Sequence, residues 1–203
     1  MPASALRPSG EKNNLPPQPL QSDHQQLATE DRVTPAGPVE SGHPDAALIS
    51  VHHHLSIVLV HPEMPQNTGN IIRLCAAAGA SLHLVRPLGF VWNDKKLRRS
   101  AMDYIGRVSV DIHADIQAYQ AVASGRHWLF SAKAPRSLYQ VHFQPGDRLV
   151  FGSESAGLPE EFRALYPQNL IRIPMLVGMR CLNLSSAAAV GLYEAIRQVS
   201  VQE

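Results

Sequence analysis

Residues 55–85 read LSIVLVHPEMPQNTGNIIRLCAAAGASLHLV, and this stretch decides the fold. It begins with LSIVLV, which has the length and apolar content of a buried strand, and it ends with LHLV, a second short strand. Between them, residues 67–78 have the apolar periodicity of a helix, with Asn67 or Thr68 as its N-cap and Gly79 directly after its end. A strand, a helix and another strand in this order favour two parallel strands joined by a helical crossover.

The same alternation continues to the end of the chain. The further predicted strands are residues 107–111, 128–132, 148–151 and 170–173, and the further predicted helices are residues 93–104, residues 115–123, a short segment after Pro159 and a long segment from about Asn183. Strands that alternate with helices form a parallel sheet covered on both sides. The sequence therefore predicts an α/β fold, a mainly parallel sheet with helices on both faces.

The first 54 residues differ in composition from the rest of the chain. They contain no Phe, Trp or Tyr but eight of the sixteen prolines, and they carry three basic and six acidic residues. We expect this Pro-rich extension to be disordered, because it cannot bury enough apolar surface to offset the entropy of ordering. Residues 55–203 are expected to form one domain, which is mildly basic and therefore compatible with a polyanionic partner. His52-His53-His54, at the junction, is interpreted as a polar linker rather than a metal site.

Several classes of protein are disfavoured by the sequence. No run of about 18 apolar residues occurs, and the N-terminus lacks the pattern of a signal peptide, so we expect a cytoplasmic protein with no membrane partner. Cys75 and Cys181 lack the spacing of zinc ligands, which predicts two free thiols and no metal.

The common fingerprints of α/β enzymes are also missing. The chain has neither the GxGxxG of dinucleotide-binding folds nor the GxxxxGK[ST] of the P-loop. The segment SESAG at residues 153–157 is one glycine short of a hydrolase nucleophile elbow. The last histidine, His142, and the last aspartate, Asp147, both precede it, so the acid and base of a hydrolase cannot follow it in the required order.

Three polar clusters remain, each at the point where a strand gives way to a loop or a helix. The first is NTGNIIR at residues 67–73, in which Asn and Gly permit a tight turn and Arg73 lies nearly two helical turns after Asn67. A guanidinium near the start of a helix suits a phosphate or a developing oxyanion. A helix cap with a solvated arginine is the alternative interpretation of this cluster.

The second cluster is FGSESAGLP at residues 151–159, which places Glu154 between two glycines just after a strand. The third leads from IRIPM to RCLNLSSA, between residues 171 and 187, and into the last helix. Asn183 or Ser185 is the cap of that helix in the simplest interpretation.

In this order, the three clusters resemble the three motifs of SPOUT RNA 2′-O-methyltransferases. The resemblance covers residues 55–198, and GFVWNDKKLRRSAMDY at residues 89–104 makes the chain most similar to the TrmL-type tRNA enzymes. It implies a deep C-terminal trefoil knot, S-adenosylmethionine as methyl donor and a homodimer. It further implies methylation of the wobble ribose, at position 34 (C or modified U), in the anticodon stem-loop of leucine tRNAs, with tRNA rather than DNA as partner.

The resemblance also implies roles for individual residues. The implied catalytic residues are Asn67, Arg73, Glu154 and Asn183, and the implied donor contacts are Ala132, Gly152, Ile173, Cys181 and Leu182. Because a guanidinium stays protonated in proteins, Arg73 is interpreted as a phosphate clamp and not as a general base. Similar enzymes usually have serine at the position of Cys181, a mild change if the backbone makes the contact. The basic stretch at residues 95–99 either contacts tRNA phosphates or is a solvated helix face.

Two alternatives stay open. The same chemistry could act on another tRNA nucleotide or on ribosomal RNA. A non-catalytic knotted RNA-binding factor would need none of the four implied catalytic residues, and their presence argues against it.

Overall fold

The structure, a computed structural model, describes the backbone of Arg32–Val33 and, with one further gap at residues 93–94, residues 53–200. The strands in this part of the chain are β1 (Arg32–Val33), β2 (Ser56–Val60), β3 (Ser81–Val85), β4 (Val110–His113), β5 (His127–Phe130), β6 (Arg136–Ser137), β7 (Arg148–Phe151) and β8 (Leu170–Arg172). The α-helices are α1 (Pro65–Ala78), α2 (Lys95–Ala101), α3 (Ile116–Val122), α4 (Glu160–Leu165) and α5 (Leu184–Ser200). Short 3₁₀ helices occupy Met102–Arg107, Leu138–Gln140 and Pro167–Asn169.

The strands form one sheet in the order β1-β4-β3-β2-β7-β5-β8-β6. Every neighbouring pair is parallel except β1 and β4, which confirms the predicted mainly parallel sheet. Strand β8 lies between β5 and β6, so the chain that leaves β5 passes to the far side of β8 before it returns to β7. Helix α5 then packs against α1 and β7. The trefoil knot implied by the resemblance stays a prediction.

The two faces of the sheet bury two separate cores, as the alternation along β2 illustrates. Ile57 and Leu59 face a core that also contains side chains of α1, α2 and α5, whereas Val58 and Val60 face a core under α3 and α4. Because successive strand residues point to opposite faces, a strand buried on both sides must be apolar throughout. That requirement explains the uninterrupted run of buried side chains in β2 and confirms helices on both faces.

Helix α1 begins earlier than the sequence predicts. Its first residue is Pro65, whose fixed φ and missing N–H suit the first helical position. Asn67 therefore lies inside the first turn and is buried, so the prediction that Asn67 or Thr68 caps the helix is wrong. Gly79 follows the helix in the left-handed conformation at φ 70°, as predicted.

Gly69 lets α2 pack directly on α1. A Cβ atom at Gly69 would lie 2.4 Å from the Ser100 Cβ and 2.9 Å from the Ala101 nitrogen. Helix α2 ends at Ala101, earlier than predicted, where Met102 has φ 51° and the chain continues as a 3₁₀ helix. The close approach at Gly69 therefore fixes where the basic helix and the segment after it lie along α1.

His53 belongs to the folded domain and is not a linker residue. Its side chain is buried, its Nε2 lies 2.7 Å from the Ala78 carbonyl oxygen, and its Nδ1 accepts the Leu55 N–H at 3.0 Å. The neutral tautomer with a proton on Nε2 satisfies both partners, one of which is an otherwise free carbonyl of the last turn of α1. Arg32–Val33 also pairs with β4. The rest of the segment predicted to be disordered lies outside the described residues.

Two findings bear on the class of protein. None of the described helices is both long and apolar enough to cross a bilayer. The two thiols are free, as predicted, with Cys75 buried and Cys181 exposed.

Gly69→Ala should weaken the α1–α2 contact. The added methyl group overlaps both a side chain and the backbone of α2, and although alanine favours the helix, we expect the free energy of unfolding to fall by about 1–2 kcal/mol. Gly106→Ala is the control, because its Cβ would have no heavy atom within 4 Å. Chemical denaturation of both variants tests this, and equal stability would contradict the packing role of Gly69.

A pair of truncations should locate the start of the domain. Removal of residues 1–52 should leave the thermal transition nearly unchanged, whereas removal of residues 1–54, or His53→Ala, should lower the unfolding free energy by about 1–3 kcal/mol, because two buried backbone groups lose their partner. His54→Asn is the matched control, since His54 is exposed. A large loss of stability on removing residues 1–52 alone would place part of the domain's core in the extension.

Candidate active site

Two glutamates clamp the β2–α1 connection to the loop after β7. The Glu154 carboxylate accepts the backbone N–H of Glu63 at 2.8 Å and that of Met64 at 3.3 Å. In return, the Glu63 carboxylate accepts both the backbone N–H, at 3.1 Å, and the hydroxyl of Ser155. Hydrogen bonds to charged groups are stronger than neutral ones, so this reciprocal clamp joins two loops about 90 residues apart in the chain.

A chain of amide hydrogen bonds continues from the clamp to the third motif. Asn67 donates from Nδ2 to Glu154 at 2.8 Å and accepts from Asn183 Nδ2 at 3.0 Å. Asn183 in turn caps α5, because its Oδ1 accepts the backbone N–H of Ser185 at 3.0 Å and of Ser186 at 3.3 Å. The structure thus brings three of the four implied catalytic residues into direct contact, and it identifies Asn183 as the cap of the last helix.

The loop after β7 folds back on itself immediately behind Glu154. Ser153 and Gly157 exchange two backbone hydrogen bonds, of 3.1 and 3.0 Å, and Gly157 has φ 74°. A Cβ at Gly152 would lie only 2.0 Å from the Gly157 carbonyl carbon, so only glycine fits there. The two glycines therefore set the loop that presents Glu154, which explains their placement around the acid.

Three of the implied donor contacts follow neighbouring strands. Ala132 comes after β5, Gly152 directly follows β7, and Ile173 directly follows β8. These strands are adjacent and parallel in the order β7-β5-β8, so their carboxyl ends meet at one edge of the sheet, the usual place for a ligand in an open α/β fold. Arg172 binds the carbonyl groups of Ala134, at 2.6 Å, and Pro135, which fixes the turn that carries Ala132.

The other two implied donor contacts, Cys181 and Leu182, lie in the exposed segment between β8 and α5. Hydrogen bonds among the described residues do not connect them to the three strand ends. The same segment carries Leu176, Val177 and Met179, all strongly exposed. This segment lies next to the carboxyl edge because it starts after Ile173, at the end of β8, and ends where α5 begins at Leu184.

Arg73, the fourth implied catalytic residue, lies beside this hydrogen-bonded group and not within it. It is exposed on α1 and lines a surface cavity of about 450 Å³. The cavity walls come from α1, from the 3₁₀ helix after α2 and from the first turns of α5, through Asn70, Leu74, Ala77, Tyr104, Ser185, Ser186 and Ala189. Asn183 connects the two parts of the site, because it binds Asn67 on one side and caps the helix that lines the cavity on the other.

Two groups with strongly shifted pKa values lie on the opposite face of the sheet. Burial, together with the positive charge of Arg148, lowers the pKa of His127 to about 4, and burial raises the pKa of the Tyr119 hydroxyl. These two groups hydrogen bond to each other at 2.8 Å inside the second core. Both groups therefore support that core and lie apart from the hydrogen-bonded residues of the site.

Sequence reasoning singled out Asn67, Glu154 and Asn183, which the structure brings together, but it did not predict how they interact. It missed Glu63, whose only signal was an acid just beyond a buried strand, and it missed Arg172, which looked like a strand residue. It also missed Tyr104, which lines the cavity from a segment predicted as plain helix.

Glu154→Gln should destabilise the site although glutamine has nearly the same size and shape as glutamate. Glutamine has one acceptor oxygen, so its amide group must face at least one of the N–H groups that now bind the carboxylate. We expect the unfolding free energy to fall by about 1–3 kcal/mol, against a negligible change for Glu160→Gln, whose side chain on α4 is exposed. Denaturation of both variants provides the measurement, and equal stability would mean that the clamp contributes nothing to the fold.

Comparisons with known proteins identify the family of the chain. The profile of the SpoU rRNA Methylase family matches residues 54–193. A tRNA (cytidine(34)-2′-O)-methyltransferase from Methylovorus glucosotrophus is 48% identical over 144 residues, which cover 70% of this chain and 94% of the relative.

Solved structures give the same result. One from a study of the 2-OH methylation of C/U34 on tRNA is 44% identical, with a TM-score of 0.71, and covers 75% of this chain and 99% of the solved one. The SpoU methyltransferase AviRb from Streptomyces viridochromogenes, in complex with AdoMet, is 25% identical with a TM-score of 0.63, over 78% of this chain and 62% of its own. The chain therefore belongs to the SpoU methylase family and has the SPOUT methyltransferase fold.

Proposed function

We propose that the protein methylates the 2′-hydroxyl of the wobble nucleotide, C34 or modified U34, of leucine tRNAs, with S-adenosylmethionine as donor. The observation that carries this proposal is the direct contact of Asn67, Glu154 and Asn183 next to the cavity lined by Arg73. Membership of a methylase family and relatives named for cytidine 34 support the reaction and the nucleotide. The restriction to leucine tRNAs comes from the resemblance to TrmL-type enzymes. In this proposal residues 55–203, together with His53, form the catalytic domain, and the enzyme works in the cytoplasm, where it meets tRNA.

The carboxyl edge of the sheet suits a donor that binds through its adenine and methionine portions. Exposed Ala132 leaves backbone groups accessible at the end of β5, Gly152 adds no side chain at the end of β7, and half-buried Ile173 offers an apolar surface for a ring. Cys181 and Leu182 are assigned to the remaining wall, as part of the segment that enters α5. S-adenosylmethionine supplies an already activated methyl group, so the protein's task is mainly to position the acceptor.

Arg73 is assigned to the RNA. Its exposed guanidinium lies at the cavity, where it can bind the phosphate next to the target ribose and stabilise charge that develops on the 2′-oxygen. Asn183 positions α5, and with it the Ser185 and Ser186 hydroxyl groups at the cavity wall. Glu154 and Asn67 act on the acceptor indirectly, because they hold Asn183 in place.

Helix α2 is assigned to the tRNA backbone. Lys95, Lys96 and Arg99 are exposed along this helix, which packs on α1 at Gly69. Basic side chains that contact phosphates orient a nucleic acid without reading its sequence. This placement favours phosphate contacts over the alternative of a merely solvated helix face.

A homodimer is part of the proposal. Leu176 and Val177, before α5, and Val190 and Tyr193, on α5, expose large apolar side chains. Exposed apolar surface of this kind is typical of a protein interface, and its position around the third motif fits an active site completed by a second copy.

A substrate that lacks a single oxygen tests the function. The purified protein, given S-adenosylmethionine and a leucine tRNA, should transfer one methyl group, and the same tRNA with a 2′-deoxynucleotide at position 34 should accept none. A 2′-deoxynucleotide at position 32 is the control and should leave transfer intact. Unchanged methylation of the 34-deoxy tRNA would refute the proposed nucleotide. Transfer only to ribosomal RNA would favour the alternative substrate that the family's description names, and donor binding without transfer to any RNA would favour a non-catalytic factor.

Arg73→Ala and Arg73→Lys should both lower the single-turnover rate by about 10²–10³, with donor affinity nearly unchanged. Lysine keeps the charge but loses the planar fork that binds a phosphate through two hydrogen bonds. Arg163→Lys is the matched control, since Arg163 lies on α4 under the other face of the sheet. Near-normal transfer by Arg73→Lys, or a parallel loss of donor binding in calorimetry, would show that the assigned role is wrong.

A further inference from the structure

The Tyr104 ring is in contact with two arginines, Arg73 from α1 and Arg107 from the same 3₁₀ helix as the ring. The Arg73 guanidinium carbon is 6.0 Å from the ring centroid, and the Arg107 guanidinium carbon is 5.6 Å from it. Both distances are in the range of a cation–π contact. The two guanidinium carbons therefore lie no more than about 12 Å apart.

Packing of α2 on α1 creates this arrangement. Gly69 and Arg73 are four residues apart and so share one face of α1. Because Gly69 contacts the end of α2, the 3₁₀ helix that follows runs past the next turn of α1 and brings Tyr104 to Arg73. The Tyr104 ring is half-buried and packs against the first core, so it is a fixed platform and not a mobile surface side chain.

The two arginines also differ from others in their pairing. Arg126, Arg163 and Arg197 each form an ion pair with a carboxylate. Among the residues that the structure describes, Arg73 and Arg107 have no carboxylate within ion-pair distance. Both guanidinium groups can therefore bind an anion from a partner without first breaking an ion pair within the described part of the chain.

The cavity next to the ring indicates what the anion belongs to. Arg73 and Tyr104 both line it, and its volume of about 450 Å³ is in the range of small-molecule sites. Arg107 is exposed, contacts the ring and is not among the residues that line the cavity. A nucleotide in the cavity would therefore have its own phosphate near Arg73 and the next part of its strand near Arg107.

We propose that Tyr104 is a positioning residue that holds Arg73 and Arg107 as a pair, and that this pair binds two neighbouring phosphates of the RNA strand that carries the target ribose. The inference rests on the proposed function and adds a residue, Arg107, and a contact, the second phosphate, to it. Tyr104 acts through the two guanidinium groups and does not touch the reacting atoms.

The test compares Tyr104→Phe, Tyr104→Leu and Arg107→Ala, with Arg163→Ala as the control on the other face. RNA affinity is measured by titration of a leucine tRNA anticodon stem-loop at several salt concentrations, and single-turnover transfer, donor affinity and thermal stability are measured alongside. Arg107→Ala should reduce the slope of log Kd against log salt by about 0.7–0.9, the loss of one phosphate contact. Tyr104→Leu should weaken RNA binding and slow transfer by about tenfold, because both arginines lose the ring, whereas Tyr104→Phe should restore both to within about twofold.

The possible results distinguish failure of the proposed arginine pair from failure of the proposed function. The arginine pair is wrong if Arg107→Ala keeps the wild-type slope of log Kd against log salt. It is also wrong if Tyr104→Phe loses as much RNA affinity and transfer rate as Tyr104→Leu. Neither result would affect the proposed function, provided that the wild-type protein methylates position 34. Because the salt slope comes from binding, it tests the pair even if the wild-type protein methylates none of the RNAs offered. A wild-type protein that does not bind the stem-loop would overturn both. Unchanged donor affinity and thermal stability in Tyr104→Leu are required, since a general structural defect would lower them as well.

Discussion

The reciprocal clamp of Glu63 and Glu154 is the interaction on which the rest of the site depends. Each carboxylate accepts backbone N–H groups of the other's loop, so the end of β2 and the end of β7 are held as one unit. Strands β2 and β7 are neighbours in the sheet, which already brings their carboxyl ends together. The sheet alone leaves the loops free to move, and the carboxylates remove that freedom. An acid that the resemblance alone would assign to catalysis is thus first a structural group.

Asn67 connects the clamped loops to the third motif by hydrogen bonds. Its amide uses one end for Glu154 and the other for Asn183, so a flip of the amide would set donor against donor and acceptor against acceptor. Asn183 then fixes the first turn of α5, which forms a wall of the cavity at Arg73. Glu154, Asn67 and Asn183 therefore shape the cavity although none of them lines it.

The sequence predicted the layers of this fold well and the details of its site poorly. Residues 148–151 coincide with β7, because an apolar run between turn residues has one interpretation in a parallel sheet. Asn67 was assigned as a cap by a local rule, yet Pro65 starts the helix and a carboxylate 87 residues later binds the amide. His53 looked like part of a polar tract, and only the position of the end of α1 makes it a buried cap. Contacts between residues distant in the chain carry no signal in a single sequence, and the site consists almost entirely of such contacts.

One glycine decides much of the geometry of the exposed surface around Arg73. Were Gly69 any larger, α2 would move outward, and the segment from Met102 to Arg107 would move with it. Tyr104 would then leave Arg73, because the ring reaches that guanidinium only from the turn of α1 next to the close approach. The close packing of α2 on α1 at Gly69 therefore also determines how the charged side chains are arranged on the surface. The resemblance to a methyltransferase motif treats Asn67 and Arg73 as functional and the glycine between them as a turn residue, but the structure makes Gly69 the residue that positions the partner of Arg73.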